Sequence, residues 1–447
     1  IVPINPDYRH DEMLYQMDHS EADIVITLES RAEDLRRVAA ERDKPLPVVR
    51  FESFTDDLPR LSPAPFDGPP GPSTEISLLY TSGTTGRPKG CILSNEFYIQ
   101  GGRWYLSMGG KLSFDAPERI INPLPFFHVN AQAICATAVF LSGGCLIAPD
   151  RFHPSTWWKD VVATGATAMH YLGVVPPLLM NQPVTPEEKQ HKLRFGTGAG
   201  LEPELHAPFE ERFGFPLVEV WGMTETGRVL ADCHEPRRID TRAFGKPLAG
   251  LEARVVDDDD NDVGPDADGE LLVRYNAEKP RKHFFSGYLK NEEETEKSWR
   301  GGWFHTGDTV RQGEDGMLYF VDRKKNIIRR SGENIAAAEI EACLQSHDQV
   351  AQVAVLPVED EIRDEEVLAC IVAMPGAPAD AAQARALFDW CFARQAYYKA
   401  PGWLLFVDSL PTTGTQKIQK AQIFDADEDP RENPAINDFR ALKKRHR

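Results

Sequence analysis

The chain has no uninterrupted apolar run of about 18 residues, the length that reads as a membrane-spanning helix, and no secretory signal pattern at its start. A cytoplasmic protein without a transmembrane segment is the expectation. Cysteine is sparse: the seven residues at 91, 135, 145, 233, 343, 370 and 391 show no metal-ligand spacing, which argues for a reducing compartment and against a zinc site. Positive charge is in deficit, with 50 Lys and Arg against 69 Asp and Glu and a formal net charge of −19. A nucleic-acid-binding face is therefore not expected, and any anion site must gather its cations locally. The first residue is not methionine, and Ile1-Val2-Pro3-Ile4-Asn5-Pro6 has the look of a strand and turn from inside a domain, so an amino-terminal truncation is expected.

What the sequence does hold is 447 residues at 41% hydrophobic content, enough for two or more domains with cores of their own. Helical and extended patterns alternate early: Asp11 is placed to cap a helix to about residue 19, 24–28 is an apolar strand, 32–41 a helix and 47–51 extended. Such alternation predicts an α/β fold with parallel sheets flanked by helices. The proline-rich stretch 59–72 reads as a surface connection within a domain.

That connection leads to the stretch Tyr80-Thr81-Ser82-Gly83-Thr84-Thr85-Gly86-Arg87-Pro88-Lys89-Gly90. Glycines let backbone wrap phosphate oxygens, hydroxyls and N–H groups donate to them, and Lys89 adds positive charge. It is not a P-loop, because proline precedes the lysine and no Ser or Thr follows it. A second stretch, Val218-Glu219-Val220-Trp221-Gly222-Met223-Thr224-Glu225-Thr226, combines a strand, a ring able to stack on adenine, a glycine for close approach, a hydroxyl for the α-phosphate and a carboxylate for Mg²⁺. Gly198-Ala199-Gly200 ends another strand in residues small enough for a flat base, but lacks the spacing of a dinucleotide fingerprint. His128 and Val129 follow two prolines and an aromatic pair, at a strand's carboxyl end, where open α/β sheets bind ligands. The acidic run 257–262 lacks the EF-hand glutamate and is expected to close a hairpin. Asp308, after Thr306-Gly307, is a short carboxylate suited to two ribose hydroxyls. Lys417, on a hydroxyl-rich loop, is suited to place charge where an oxyanion forms.

Together these motifs resemble the adenylate-forming superfamily, in particular acyl-CoA synthetases of the carnitine/crotonobetaine-CoA and medium-chain type, from the first residues to about 424. The resemblance implies a large amino-terminal AMP-binding domain (1–322), a hinge (323–325, with Lys325 its pivot) and a small, mobile α+β carboxyl-terminal domain (326–447). Beyond it, the acidic, proline-containing stretch from about 425 reads as a flexible tail. It implies ATP or AMP contacts from Thr81, Ser82, Gly83, Thr84, Thr85, Lys89, Gly198, Ala199, Gly200, Trp221, Gly222, Met223, Thr224, Asp308, Arg323 and Lys417. Glu225 is the implied magnesium ligand, His128, Val129, Tyr171 and Gly173 the implied acyl pocket, and Ser331 and Gly332 the implied CoA contact. Catalysis falls to Lys417, Thr224 and His128. Two positions depart from the family pattern: Trp221 stands where tyrosine is usual and Gln416 where glycine precedes the catalytic lysine. The implied reaction is ATP-dependent joining of a carboxylic acid to CoA through an acyl-adenylate, with a homodimer as one assembly compatible with the family. A carrier-protein-loading adenylation enzyme and a nucleotide-binding protein without full turnover are the alternatives.

Overall fold

The computed structural model describes residues 1–44, 46–59, 68–81, 88–323, 327–411, 418, 420–425 and 428–444. By backbone contacts the chain divides into two compact units, one of Ile1, 71–81 and 90–325 and the other of 2–70, 82–89 and 326–447. The expectation from sequence grouped 2–70 with the first unit; here that segment clusters with the carboxyl-terminal module.

The first unit contains a six-stranded sheet ordered Val229–Ala231, Leu217–Gly222, Phe195–Ala199, Ala168–Leu172, Arg119–Ile121, Cys145–Ile147. All neighbours are parallel except the first pair. Parallel strands buried on both faces favour continuous apolar or small residues, and Phe195, Leu217, Val218 and Met169 are all fully buried. A five-stranded antiparallel sheet, Ala243–Gly245, Leu318–Arg323, Phe304–Gln312, Asp268–Arg274 and Glu252–Val256, lies in the same unit. The third sheet pairs Gly287–Tyr288 with Lys89–Ser94, and Lys89–Ser94 with Glu75–Thr81. The acidic run links Glu252–Val256 to Asp268–Arg274, with the Asp257 carboxylate accepting from the backbone N–H groups of Asp259 and Asn261.

Several local expectations shift. The first helix is His10–His19, capped by Arg9 rather than Asp11: the Glu12 carboxylate accepts the Arg9 backbone N–H at 3.0 Å. The second helix starts earlier than expected, at Glu29, and a further helix, Trp157–Thr164, follows Thr156. Gly173 and Val174 lead into a helix Val175–Met180 that two prolines in its first turn can start. The apolar run after His128 opens as a π-helix, Asn130–Cys135, before Ala136–Ser142 becomes α-helical.

In the second unit, a mixed sheet of Glu333–Ala336, Ile327–Arg330, Asp364–Ala373, Trp403–Phe406 and Asn437–Asp438, with Val350–Asp360 beside Asp364–Ala373, packs against helices Ala337–Gln345 and Ala381–Arg394. The tail, expected to be mobile, docks onto this module in residues 428–444. Asn437–Asp438 pairs with Trp403–Leu404, Phe439 stacks on Phe388 at 5.0 Å, and Lys443 is wholly buried against Glu366. An aromatic side chain and one neutralised cation supply what its acidic composition concealed. Phe439→Ala is expected to lower the stability of the module by about 3 kcal/mol, measured by urea unfolding; a tail that hangs free would leave the midpoint where it was.

Candidate functional site

The carboxyl ends of the parallel strands in the first unit hold most of the candidate residues. The strand Leu217–Gly222 turns back through residues 223–228 into the antiparallel strand Val229–Ala231, with Trp221 opposite Leu230 and Gly222 opposite Val229. Thr226 pins this turn: its hydroxyl accepts the Met223 N–H at 3.2 Å and lies 3.0 Å from the Arg228 carbonyl. Met223 and Thr224 are left half-buried at the tip, Gly222 exposed, and Glu225 buried. The Tyr288 hydroxyl donates to Glu225 Oε1 at 2.8 Å, and the Phe285 N–H donates to the Glu225 carbonyl at 2.9 Å.

Trp221 is buried, and its indole N–H donates to Asp308 Oδ2 at 2.9 Å. Replacing the family's usual tyrosine thus exchanges a hydroxyl for an N–H that reaches a carboxylate on the five-stranded sheet. Asp308 is 1% exposed and its own N–H donates to Thr306 Oγ1. Arg323 is its register partner across the sheet. The structure therefore brings Trp221, Asp308 and the backbone of Arg323 together, from sequence positions far apart.

Gly198, Ala199 and Gly200 end the neighbouring strand. A Cβ on Gly173 would stand 2.1 Å from the Gly200 carbonyl oxygen, and one on Gly198 would stand 2.2 Å from that of Tyr171. Backbone approach alone thus demands glycine at both places. Tyr171 is fully buried and its hydroxyl donates to Glu219 Oε1 at 2.6 Å. Glu219 also accepts the N–H groups of Gly200 at 3.0 Å and Leu201 at 3.2 Å. One carboxylate from the strand Leu217–Gly222 therefore clasps the ends of the next two strands along the sheet, Phe195–Ala199 and Ala168–Leu172. Burial pushes it up to about 7, against the opposing pull of its three donors.

His128 is half-buried, with its N–H on the Pro125 carbonyl at 3.1 Å and its ring 4.5 Å from that of Phe127. Val129 packs against buried side chains of the first unit. Below them a polar chain holds the segment: Asn122 Nδ2 donates to Asn130 Oδ1, which also accepts from His170 Nδ1 at 2.8 Å, while the Tyr105 hydroxyl lies 3.1 Å from His170 Nε2. Burial lowers His170 to about 3, so it remains the neutral tautomer that donates from Nδ1 and accepts at Nε2.

Lys89 is buried at the start of its strand, and the Thr81 hydroxyl lies 4.0 Å from Cys91 Sγ. In the second unit, Ser331 and Gly332 form the tight turn between Ile327–Arg330 and Glu333–Ala336, with φ of 50° and 87°. The left-handed backbone of this turn by itself favours glycine at 332. Ser82, Gly83, Thr84, Thr85, Lys325 and Lys417 lie outside the described residues.

Sequence reasoning missed Glu219, Tyr288, Asn130 and His170. Glu219 had one signal, a carboxylate in an otherwise apolar strand entering a motif; for the others, partners 40, 63 and 65 positions away left no local pattern.

The family model of AMP-binding enzymes matches residues 1–289, and that of their carboxyl-terminal domain matches 339–417. The chain belongs to the AMP-binding enzyme family. It is 29% identical to a crotonobetaine/carnitine–CoA ligase of Proteus mirabilis, over 95% of this chain and 83% of that one. It is equally 29% identical to a sulfoacetate–CoA ligase of Cupriavidus necator, over 94% and 81%. Among solved structures, a malonyl-CoA ligase in a product complex with methylmalonyl-CoA and AMP superposes with a TM-score of 0.74 at 26% identity, over 92% of this chain and 85% of that one. Among the described residues no helix is long and apolar enough to cross a membrane.

The Glu219 clasp makes a prediction with a definite sign. Its native carboxyl binds protons more tightly than the unfolded one, so its contribution to stability is greatest in acid and is lost as pH rises through about 7. Glu219→Gln, which cannot ionise, is expected to flatten the change in melting temperature between pH 5 and pH 8, as followed by calorimetry across that range; parallel curves for parent and variant would refute it.

Proposed function

We propose that this AMP-binding enzyme is an ATP-dependent carboxylic acid–CoA ligase that forms an acyl-adenylate with release of pyrophosphate, then an acyl-CoA thioester with release of AMP. The observation that carries it is the grouping at the sheet's carboxyl edge, where a hairpin presents Thr224 and Glu225 beside the Trp221–Asp308 pair. The names of the relatives, each a CoA ligase, support the same reading.

The chemistry follows from leaving groups. A carboxylate resists attack by a thiol because oxide or hydroxide would have to depart, whereas an acyl-adenylate expels AMP. In the first step an oxygen of the acid attacks the α-phosphorus of ATP and the bond to pyrophosphate breaks. Charge grows on the α-phosphate oxygens, where the Thr224 hydroxyl donates and Lys417 supplies a cation. Asp308 accepts from ribose hydroxyls, the Trp221 ring and Gly198-Ala199-Gly200 form the base's surroundings, and Arg323 contacts the nucleotide. Thr81, Ser82, Gly83, Thr84, Thr85 and Lys89 hold the polyphosphate. The hinge role belongs to Lys325, and His128, Val129, Tyr171 and Gly173 shape the acyl side.

Glu225 fits a magnesium ligand: Mg²⁺ commonly takes one or two carboxylates together with substrate phosphates, and the Tyr288 hydroxyl fixes one of its oxygens. When bound, the ion neutralises phosphate charge. In the second step the CoA thiol attacks the acyl carbon and AMP leaves, with the Ser331–Gly332 turn as the contact for the thiol's arm.

The direct test is mass-spectrometric trapping of an acyl-adenylate from ATP and a panel of acids that includes crotonobetaine, sulfoacetate and malonate, followed by addition of CoA. Lys417→Ala is expected to slow adenylate formation by about 100-fold while sparing thioester formation from supplied acyl-adenylate; equal loss in both halves removes the assignment. Glu225→Gln is expected to shift the magnesium titration of adenylate formation to higher concentration with little change in the KM for the acid. Superimposable magnesium titrations would give Glu225 another task.

A further inference from the structure

Arg228, the last residue of the hairpin turn, is 3% exposed. Three rings surround its guanidinium, with Cζ 5.3 Å from the centroid of Trp104, 5.3 Å from Tyr275 and 5.8 Å from Phe284. Its two hydrogen-bond acceptors are uncharged: the Lys282 carbonyl at 3.4 Å and His283 Nδ1. His283 Nε2 lies 3.1 Å from Glu96 Oε1, on the helix Asn95–Ser107. The imidazole therefore accepts at Nδ1, donates from Nε2, and relays the cation to a carboxylate that does not touch it.

A buried guanidinium is costly unless its donors are matched, so a residue held this way has few alternative positions. The loop that supplies His283 also supplies Phe285 and Tyr288, which grip Glu225 through its carbonyl and carboxylate. The segment 282–288 thus holds both ends of the Glu225–Arg228 stretch.

We propose that Arg228, His283 and Glu96 form a positioning relay that fixes the hairpin carrying Thr224 and Glu225, and that this relay holds only while His283 is neutral. The proposal rests on the ligase reading for its effect on rate, but not for its effect on the hairpin. The groups facing His283 are Arg228 from the hairpin, Glu96 from the helix, and Lys282 and the edge of the Tyr275 ring, 5.3 Å away. Burial, then the Arg228 charge, lowers His283 below its ordinary value. Protonation in acid converts Nδ1 from acceptor to donor and sets two cations together, so the relay fails as pH falls.

Three variants test it. Arg228→Met is expected to lower kcat for adenylate formation by about tenfold with the KM for the acid within about twofold, the split produced when an interaction acts in the transition state. Arg228→Lys, which keeps the charge but not the forked reach, is expected to fall between parent and Arg228→Met. His283→Gln keeps an acceptor and a donor but does not titrate, so its ratio of rates at pH 5 and pH 8 is expected to lie closer to one than the parent's. Hydrogen exchange over residues 221–229, read by mass spectrometry at a single pH, does not depend on turnover and is expected to quicken in Arg228→Met. Unchanged exchange in that variant overturns the relay even if the parent proves inactive. A rise in acid KM at constant kcat also overturns it, since Arg228 would then serve the acid's pocket, as does a parental pH ratio in His283→Gln. If Arg228→Met does not fold, His283→Gln decides by its pH ratio and exchange.

Discussion

The hydrogen bond from the Trp221 indole to Asp308 joins two sheets of different construction. Trp221 ends a parallel strand whose neighbours are apolar or small, and Asp308 lies in an antiparallel strand among aromatic residues. Both side chains are deeply buried, and the bond gives the indole N–H and one carboxylate oxygen a partner in place of the water each has lost. The geometry of this edge of the first unit depends on that pairing, which fixes the indole of one sheet against the carboxylate of the other.

Around it, buried polar groups repeat one arrangement, in which a single acceptor serves several elements. Glu219 takes donors from two neighbouring segments, Asn130 Oδ1 serves Asn122 and His170, and Glu225 meets a hydroxyl and contributes a carbonyl to the same loop. Such networks are demanding, because losing one member strands the others. They also tie the candidate positions, whether in a strand, as Trp221 is, or in a turn, as Thr224 and Glu225 are, to a rigid sheet edge at a few points.

The second unit meets the same constraint with full charges. The Lys399 ammonium lies 2.7 Å from both Glu12 and Glu339, and Glu366 takes Arg330 at 2.7 Å together with Lys443. Glu12 belongs to the helix His10–His19, and Asn5 donates to the Tyr398 hydroxyl at 2.9 Å. These contacts account for the clustering of residues 2–70 with the carboxyl-terminal module. Lys443 does the same for the tail, whose acidic, proline-containing composition suggested mobility.

The sequence by itself determined the family and the α/β class and marked the stretches proposed to bear the chemistry, because the run 80–90, the Trp221-Gly222-Met223-Thr224-Glu225 run and Thr306-Gly307-Asp308 are contiguous motifs. Periodicity also placed the strands Val25–Thr27 and Val48–Arg50 to within one residue at each end. The tertiary structure alone decided that Trp221 donates to Asp308, that Tyr171 and Gly173 answer to Glu219 and to the Gly200 backbone, that Arg228 reaches Glu96 through His283, and that the tail is docked. Each of those is a pairing between groups far apart in the chain, and its strength comes from exclusion of water, which no local pattern of residues records.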